Sequence, residues 1–339
     1  MNPAIELRTL TDGGQSPAEV ARAVAGFVDG AERTLDLAQY DFDLGAETAQ
    51  IVGDALRRAA ARGVRIRLAY NVDHANPVPV PPPPSPDETL IKSLPLEATA
   101  VPGVPDLMHH KYVVRDRDTV WTGSLNWADD AWSRQENVVV VVRSPELAAE
   151  FERDFAQLVA ADEVAGSGAV EPVWHGNVRV WFAPAHGVDL SHRIAQAIGL
   201  ARRRVRVCSP VLTTGPVLGA LAGTRTDLAG CLDETQMHGV VGQWGENGRS
   251  RWKLPLLERV AARPFSGKRS TPYGSGVHDF MHAKVVVADD TVFVGSFNLS
   301  RSGERNAENV LEIADAEIAE RLAGFVDDVR ARYSPLALS

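Results

Sequence analysis

Two short runs carry side chains suited to chemistry at phosphorus. HHKYVVRD holds His109, Lys111 and Asp116, and HAKVVVAD holds His282, Lys284 and Asp289. Each is followed by a Gly-Ser-x-Asn tetrad, Gly123-Ser124-Leu125-Asn126 and Gly295-Ser296-Phe297-Asn298, and then by Glu136-Asn137 or Glu308-Asn309. At average residue usage, His-x-Lys-x4-Asp begins by chance at on the order of one position in 10⁴. Two copies with matching sequels therefore mark a duplicated functional unit.

In an extended chain, residues i and i+2 share a face, so each His-x-Lys presents an imidazole beside an ammonium. The Ser and Asn of each tetrad add neutral donors for phosphate oxygens, and Gly123 and Gly295 suit close backbone approach. Brought together about a two-fold axis, the halves offer one His to attack phosphorus and the other to protonate the leaving oxygen. The lysines offset developing negative charge without a metal, and Glu136 and Glu308 are the expected orienting carboxylates for the imidazoles. Neither Cys208 nor Cys231 stands at ligand spacing to a histidine, and a lysine beside each histidine repels a cation; neither a metal nor another cofactor is expected.

The other candidates have plainer readings. Asp116 and Asp289 end a strand and are expected to make turn contacts outside the reacting groups. His110 points to the opposite face from His109 and reads as structural, as do His74, His175, His186, His192 and His238; His278, four residues before His282, is a candidate to line the site. Trp127, Trp132, Trp244 and Trp252 read mostly as core.

The elements around these runs repeat as well. Ser16, Pro17 and Glu19 form a capping box ahead of a helix whose Val20, Val24, Phe27 and Val28 share a face. A strand at 34–40, a helix at about 47–62 and a strand at 64–70 follow. The second half repeats the plan: a strand at 178–182, a helix at 190–200 and a strand at 205–209 mirror a strand at 5–7, the capped helix and the strand at 34–40. Each half closes with an amphipathic helix, one around Leu147, Phe151 and Leu158, the other around Ile318, Leu322, Phe325, Val326 and Val329. Such alternation indicates α/β architecture. The polar, Gly-containing stretch 164–172 suits a linker, which places domain boundaries at 1–165 and 166–339. Seven prolines between Asn76 and Pro86 predict a stiff polyproline rim loop.

This arrangement resembles the phospholipase D superfamily, whose double His-x-Lys-x4-Asp signature with trailing Gly-Ser-x-Asn recurs in both halves here. The resemblance implies two tandem α/β/α domains related by pseudo-two-fold symmetry, mixed central sheets flanked by helices, one site at their interface, and a covalent phosphohistidine. It assigns His109 to attack and His282 to general acid. Two departures stand out: Asn306 precedes Glu308 by two residues where the first copy has Arg134, and Asp129 and Asp130 occupy positions held by Arg301 and Ser302 in the second.

Composition bounds the substrate. The 339 residues carry a formal charge of −9, with 45% apolar and 23% charged residues, an ordinary globular balance. Residues 1–170 carry −11 and 171–339 carry +2, with +5 gathered between Val241 and Val285. The acidity weighs against a nucleic-acid coat protein; the basic stretch is either a solvated loop or an anion-binding wall. No apolar run approaches a membrane span, no secretory leader is visible, and two cysteines fit a reducing cytosol, so a cytoplasmic enzyme with at most peripheral membrane contact is expected. Two copies in one chain remove the need to dimerise, and no obligate protein partner is implied. The expected function is a metal-independent phosphodiesterase acting on a phospholipid by hydrolysis or transfer. A nuclease using the same site, or a non-catalytic binding module, are the alternatives.

Overall fold

A computed structural model describes residues 2–74, 84–161, 163–274 and 276–338. Most of the proline-rich loop falls at 75–83, outside the described residues. The first sheet runs, edge to edge, Ala4–Leu10, Gln135–Arg143, Thr119–Gly123, Lys111–Arg115, Thr34–Gln39, Arg65–Val72, Glu97–Pro102. The second runs Val178–Ala183, Glu308–Ala314, Thr291–Gly295, Val285–Ala288, Arg204–Ser209, Asp227–Asp233, Phe265–Lys268. The two orders match strand for strand, and both sheets are mixed, with the parallel pairing within each repeat falling in its last three strands. The duplication read in the sequence is thus a duplication of sheet topology.

Local chemistry explains the elements. Ser16 caps the helix Pro17–Asp29 by accepting from Glu19 N–H at 3.3 Å, while the Glu19 carboxylate accepts from Ser16 N–H at 2.7 Å. That helix and Ala46–Ala61 bury Val24, Val28, Val52 and Leu56 on the outer face of the first sheet. Gly187–Leu200 and Gly215–Gly223 do the same for the second through Leu190, Ile194, Val217 and Leu218. The closing helices, Pro145–Ala161 and Ala316–Arg332, lie between the sheets in one shared core with Phe151, Phe155, Phe182, Leu322 and Val326. A fully buried phenylalanine in such a core is worth about 3–5 kcal/mol against truncation to alanine. The halves are therefore joined by apolar burial rather than hinged on a tether.

The expected linker is part of this joint. Val164 and Val170 are buried in the shared core, and Gly168 N–H donates to Asp154 at 3.1 Å. Its small, polar residues allow tight packing rather than freedom. The short strand Phe280–Met281 crosses over to pair in parallel with Gln135–Glu136 of the first sheet. Its counterpart is a parallel bridge from Met108 to Ala307. The residues just ahead of each reactive histidine are thus stitched to the opposite repeat.

Candidate active site

Each histidine sits just before a strand rather than within it, since the strands begin at Lys111 and Val285. The same device positions both. Asn71 accepts from Met108 N–H at 3.0 Å, and Asp233, on the matching strand, accepts from Met281 N–H at 3.2 Å. The turns behind the strands are also alike. Asp116 and Asp289 adopt left-handed φ of 54° and 52° and accept from the backbone N–H groups of residues 32–34 and 202–204. Burial works to raise both carboxyls, but these donors hold them below the ordinary range. Both aspartates fasten turns, away from the reacting groups.

Gly123 and Gly295 let two strands approach closely. A Cβ on either would stand 2.1 Å from a carbonyl oxygen, that of Val138 or Asn309. The serines next to them are tied down rather than left as free donors. Ser124 Oγ donates to Asn137 Oδ1 at 2.8 Å and accepts from Val138 N–H at 3.0 Å. Ser296 Oγ accepts from Asn309 N–H at 3.0 Å. These bonds clamp the tetrads onto the following strands; contact of Ser124 and Ser296 with a phosphate stays an expectation. The carboxamide oxygens of Asn126 and Asn298 have no hydrogen-bond partner among the described residues.

His109, Lys111, His282 and Lys284 come together and are all buried. Lys111 Nζ donates to its neighbour's carbonyl, His109 O, at 2.7 Å and lies 4.6 Å from the Tyr40 ring; Lys284 Nζ donates to His282 O at 2.6 Å. Among the described residues neither ammonium forms an ion pair. Desolvation pulls Lys111 down to about 7, and desolvation with the Lys111 charge pulls Lys284 well below the ordinary lysine range. Desolvation, then the lysines, push His109 and His282 well below 6.5. Four buried basic groups with one carboxyl among them make a centre built for an anion.

The imidazoles are oriented differently. His109 Nδ1 bonds to the Glu308 carboxylate at 2.8–2.9 Å, across the repeats. Asn306 Nδ2 donates to Glu308 at 3.3 Å, and burial raises Glu308 to about 8 against the pull of Lys111. His282 Nδ1 instead bonds to Asn137 Oδ1 at 3.1 Å. Asn137 donates its amide to Ala131 O at 3.1 Å, so Oδ1 is the acceptor and Nδ1 of His282 carries the proton. Glu136 does not orient an imidazole, contrary to expectation. Its oxygens take Lys268 Nζ at 3.1 Å, the Asp12 N–H at 3.3 Å and the Tyr333 hydroxyl. Lys268 lies opposite Asp233 in its sheet, and the matching place opposite Asn71 is Val101. A lysine at that one position in the second repeat captures the carboxylate, and Arg134 turns to Asp12 instead of supporting it as Asn306 supports Glu308.

Other candidates resolve simply. His110 is enclosed by Tyr112 and Phe182 and bonds to Asn309 at 3.2 Å, a structural role. His278 stacks on Tyr273 at 3.5 Å, and Phe280 lies between it and His282. Trp127, Trp132 and Trp244 are buried, whereas Trp252 is 56% exposed. Sequence reasoning missed Tyr40, whose ring lies 4.6 Å from that of His109, because a lone tyrosine at a strand end carries no spacing signal. It also missed Lys268, hidden within a basic run.

That run is part buried and part open: Lys268 and Lys284 are buried, whereas Arg249, Arg251, Arg259 and Arg269 are exposed. Lys268 pairs with Glu136 and Asp12, Arg269 with Glu234, and Arg263, Arg251 and Lys253 donate to backbone carbonyls. Among the described residues no helix is long and apolar enough to cross a membrane.

The family model of the cardiolipin synthase, phospholipase D-like domain matches the chain twice, at residues 26–159 and 194–328. No curated protein matches it. Among solved structures it is similar to phosphatidylserine synthase from Haemophilus influenzae Rd KW20, at 15% identity and TM-score 0.68, over 96% of this chain and 86% of that one. It is also similar to polyphosphate kinase from Porphyromonas gingivalis, at 11% identity and TM-score 0.57, over 96% of this chain and 50% of that one. Nuc from Salmonella typhimurium, a phospholipase D family member, aligns with 46% of this chain and 93% of its own, at 22% identity and TM-score 0.34. At such identities the likenesses to phosphatidylserine synthase and polyphosphate kinase speak to fold alone. With the family model matched in both repeats, over well more than half its length, the chain belongs to the phospholipase D superfamily of phosphodiester-processing enzymes.

Proposed function

We propose that the protein cleaves or transfers a phospholipid-type phosphodiester through a phosphohistidine formed on His109. The observation that carries this reading is the pair of buried lysines, Lys111 and Lys284, beside two imidazoles and without an ion pair among the described residues. An anionic diester between them supplies the charge that stabilises both, and they in turn stabilise the extra negative charge of the transition state, the task a metal performs in other phosphoryl-transfer sites.

The proton inventory fits. The directions of the shifts put two neutral imidazoles and a protonated Glu308 in the empty site near neutral pH. Moving one proton yields Glu308 as carboxylate, His109 with a free Nε2 lone pair, and His282 as imidazolium. His109 Nε2 then attacks phosphorus, the bond from phosphorus to the leaving oxygen breaks, and His282 gives its Nε2 proton to that oxygen. In the second half, water or an alcohol attacks, His282 removes its proton, and the phosphorus–nitrogen bond breaks. The carboxylate partner makes His109 the better nucleophile, and the amide partner leaves His282 free to cycle its proton.

Lipid is favoured over nucleic acid because the chain is acidic overall, with a formal charge of −9, and the buried lysine of the basic run, Lys268, is neutralised by Glu136 and Asp12. The experiment compares headgroup release from phospholipid vesicles with nicking of plasmid, both in chelator. Headgroup release without nicking is expected; salt-sensitive nicking alone would overturn the choice of substrate.

A further inference from the structure

The first repeat contributes a wall beside the histidines that the chemistry above does not use. Asp41 follows Tyr40, whose ring lies against His109, and is 2% exposed; its Oδ1 has no hydrogen-bond partner among the described residues. Desolvation, then the nearby Asp130 and Asp43, raise its carboxyl well above the ordinary range. Asp130 accepts from the Tyr273 hydroxyl at 3.1 Å and from Gln135 Nε2 at 3.2 Å, and His278 Nε2 lies 3.9 Å away. Gln135 is itself 1% exposed, and its carboxamide oxygen, held at this cluster by the bond to Asp130, also lacks a partner. The wall reaches both histidines, through Tyr40 to His109 and through His278 and Phe280 to His282.

Among the described residues the other repeat has nothing comparable. Two residues past the strand Thr34–Gln39 stands Asp41; two past Arg204–Ser209 stands Val211. Where the first repeat has Asp129 and Asp130, the second has Arg301 and Ser302. Of the two aspartates, Asp129 is used locally, accepting from Gly45 N–H at 3.2 Å and from the Thr48 hydroxyl. Asp130 is left to the site.

We propose that Asp41, Asp130, Gln135, Tyr273, His278 and Tyr40 form a subsite for a positively charged alcohol, an ammonium-bearing group esterified to the phosphate or accepting it. Among the described residues, Asp41 Oδ1 and the Gln135 amide oxygen are buried acceptors without donors, and the Asp130 carboxylate beside them holds only neutral donors from Tyr273 and Gln135, so the wall lacks a cation. A cation relieves the mutual repulsion of Asp41 and Asp130, whereas a second phosphate of a nucleic-acid strand would meet that repulsion. An ammonium two carbons from the ester oxygen pairs with this wall while its phosphate lies between Lys111 and Lys284. The placement of the phosphate rests on the phosphodiesterase reading; the charge preference of the wall does not.

Calorimetry on the full chain at pH 7 tests this without turnover, comparing O-phosphoethanolamine with ethyl phosphate, which keeps the phosphate and loses the ammonium. Wild type is expected to bind phosphoethanolamine about tenfold tighter, an increment typical of one well-placed charge pair. D41N and D130N should each shrink that ratio at least threefold, and Y273F, which keeps both carboxylates but releases Asp130, should shrink it less. Equal affinities in wild type, or a ratio unchanged in both aspartate variants, overturns the subsite. Failure to bind either phosphate overturns the subsite and the phosphodiesterase reading together. A preserved preference with no headgroup release from vesicles leaves the subsite standing and counts against the phosphodiesterase reading alone.

Discussion

The two repeats share a sheet order, a histidine-positioning contact and an aspartate-fastened turn, yet they hold their imidazoles by different means. His109 faces a carboxylate, Glu308; His282 faces an amide, Asn137. The difference traces to Lys268, which stands where the first repeat has Val101 and binds Glu136. Duplication supplies two equal bases, and a single charge in a neighbouring strand makes them unequal. A site that must attack with one histidine and donate a proton with the other gains from that inequality.

The widest split should come from removing each histidine in turn. His109→Ala is expected to lower kcat about 10⁴-fold for any diester, since no bond to phosphorus then forms. His282→Ala should be as damaging with an alkyl leaving group but lose only about tenfold with a 4-nitrophenyl diester, whose phenolate needs no proton. Equal losses on the activated diester would erase the distinction between the two.

The carboxylates should separate next. Glu308→Gln is expected to cost about 10²-fold in kcat, the scale of a lost orienting partner, with little change in melting temperature. Glu136→Gln should leave kcat within about threefold but destabilise the fold by about 1–2 kcal/mol, because buried Lys268 keeps Asp12 and Asp279 but loses its most buried partner. Urea unfolding and steady-state kinetics read the two effects.

The pH profile sharpens the same contrast. Lys111 at about 7 and Glu308 at about 8 lose protons just above neutrality, which removes anion binding and then the proton that His282 must donate. In the free enzyme kcat/KM should therefore fall as pH rises from about 7. A profile flat to about pH 9, as ordinary lysines would give, contradicts the assigned burial.

The smallest effects lie where the repeats agree. Asp116→Asn and Asp289→Asn should each cost about 1–2 kcal/mol and leave kcat intact. Because both folded carboxyls sit below the ordinary value, their contribution is full above about pH 4 and is lost as pH falls through the lowered value.

What was legible in the sequence was whatever spacing encodes. The duplicated histidine–lysine pairs, the capped first helix and the strand–helix alternation are local patterns, and the glycines announced a close approach that the Val138 and Asn309 carbonyls make real. What was hidden depends on contacts across the repeats. Glu136 and Glu308 each precede an asparagine, with Arg134 against Asn306 two residues before; what captures Glu136 is a strand far along the chain, ending in Lys268. The basic run read as a solvated loop or an anion-binding wall because charges in sequence carry no partners; folding buries Lys268 and Lys284 within it and leaves Arg249, Arg251, Arg259 and Arg269 exposed. The serines read as ligands because a hydroxyl's partners are set by the neighbouring strand.

The central claim is that one histidine, His109, becomes covalently phosphorylated. Rapid mixing with labelled diester, an alkaline quench that preserves phosphoramidate, and peptide mapping would locate the label. The label is expected on the peptide containing His109, in His282→Ala as well as wild type with the 4-nitrophenyl diester. Label on His282, or on no histidine, would contradict it.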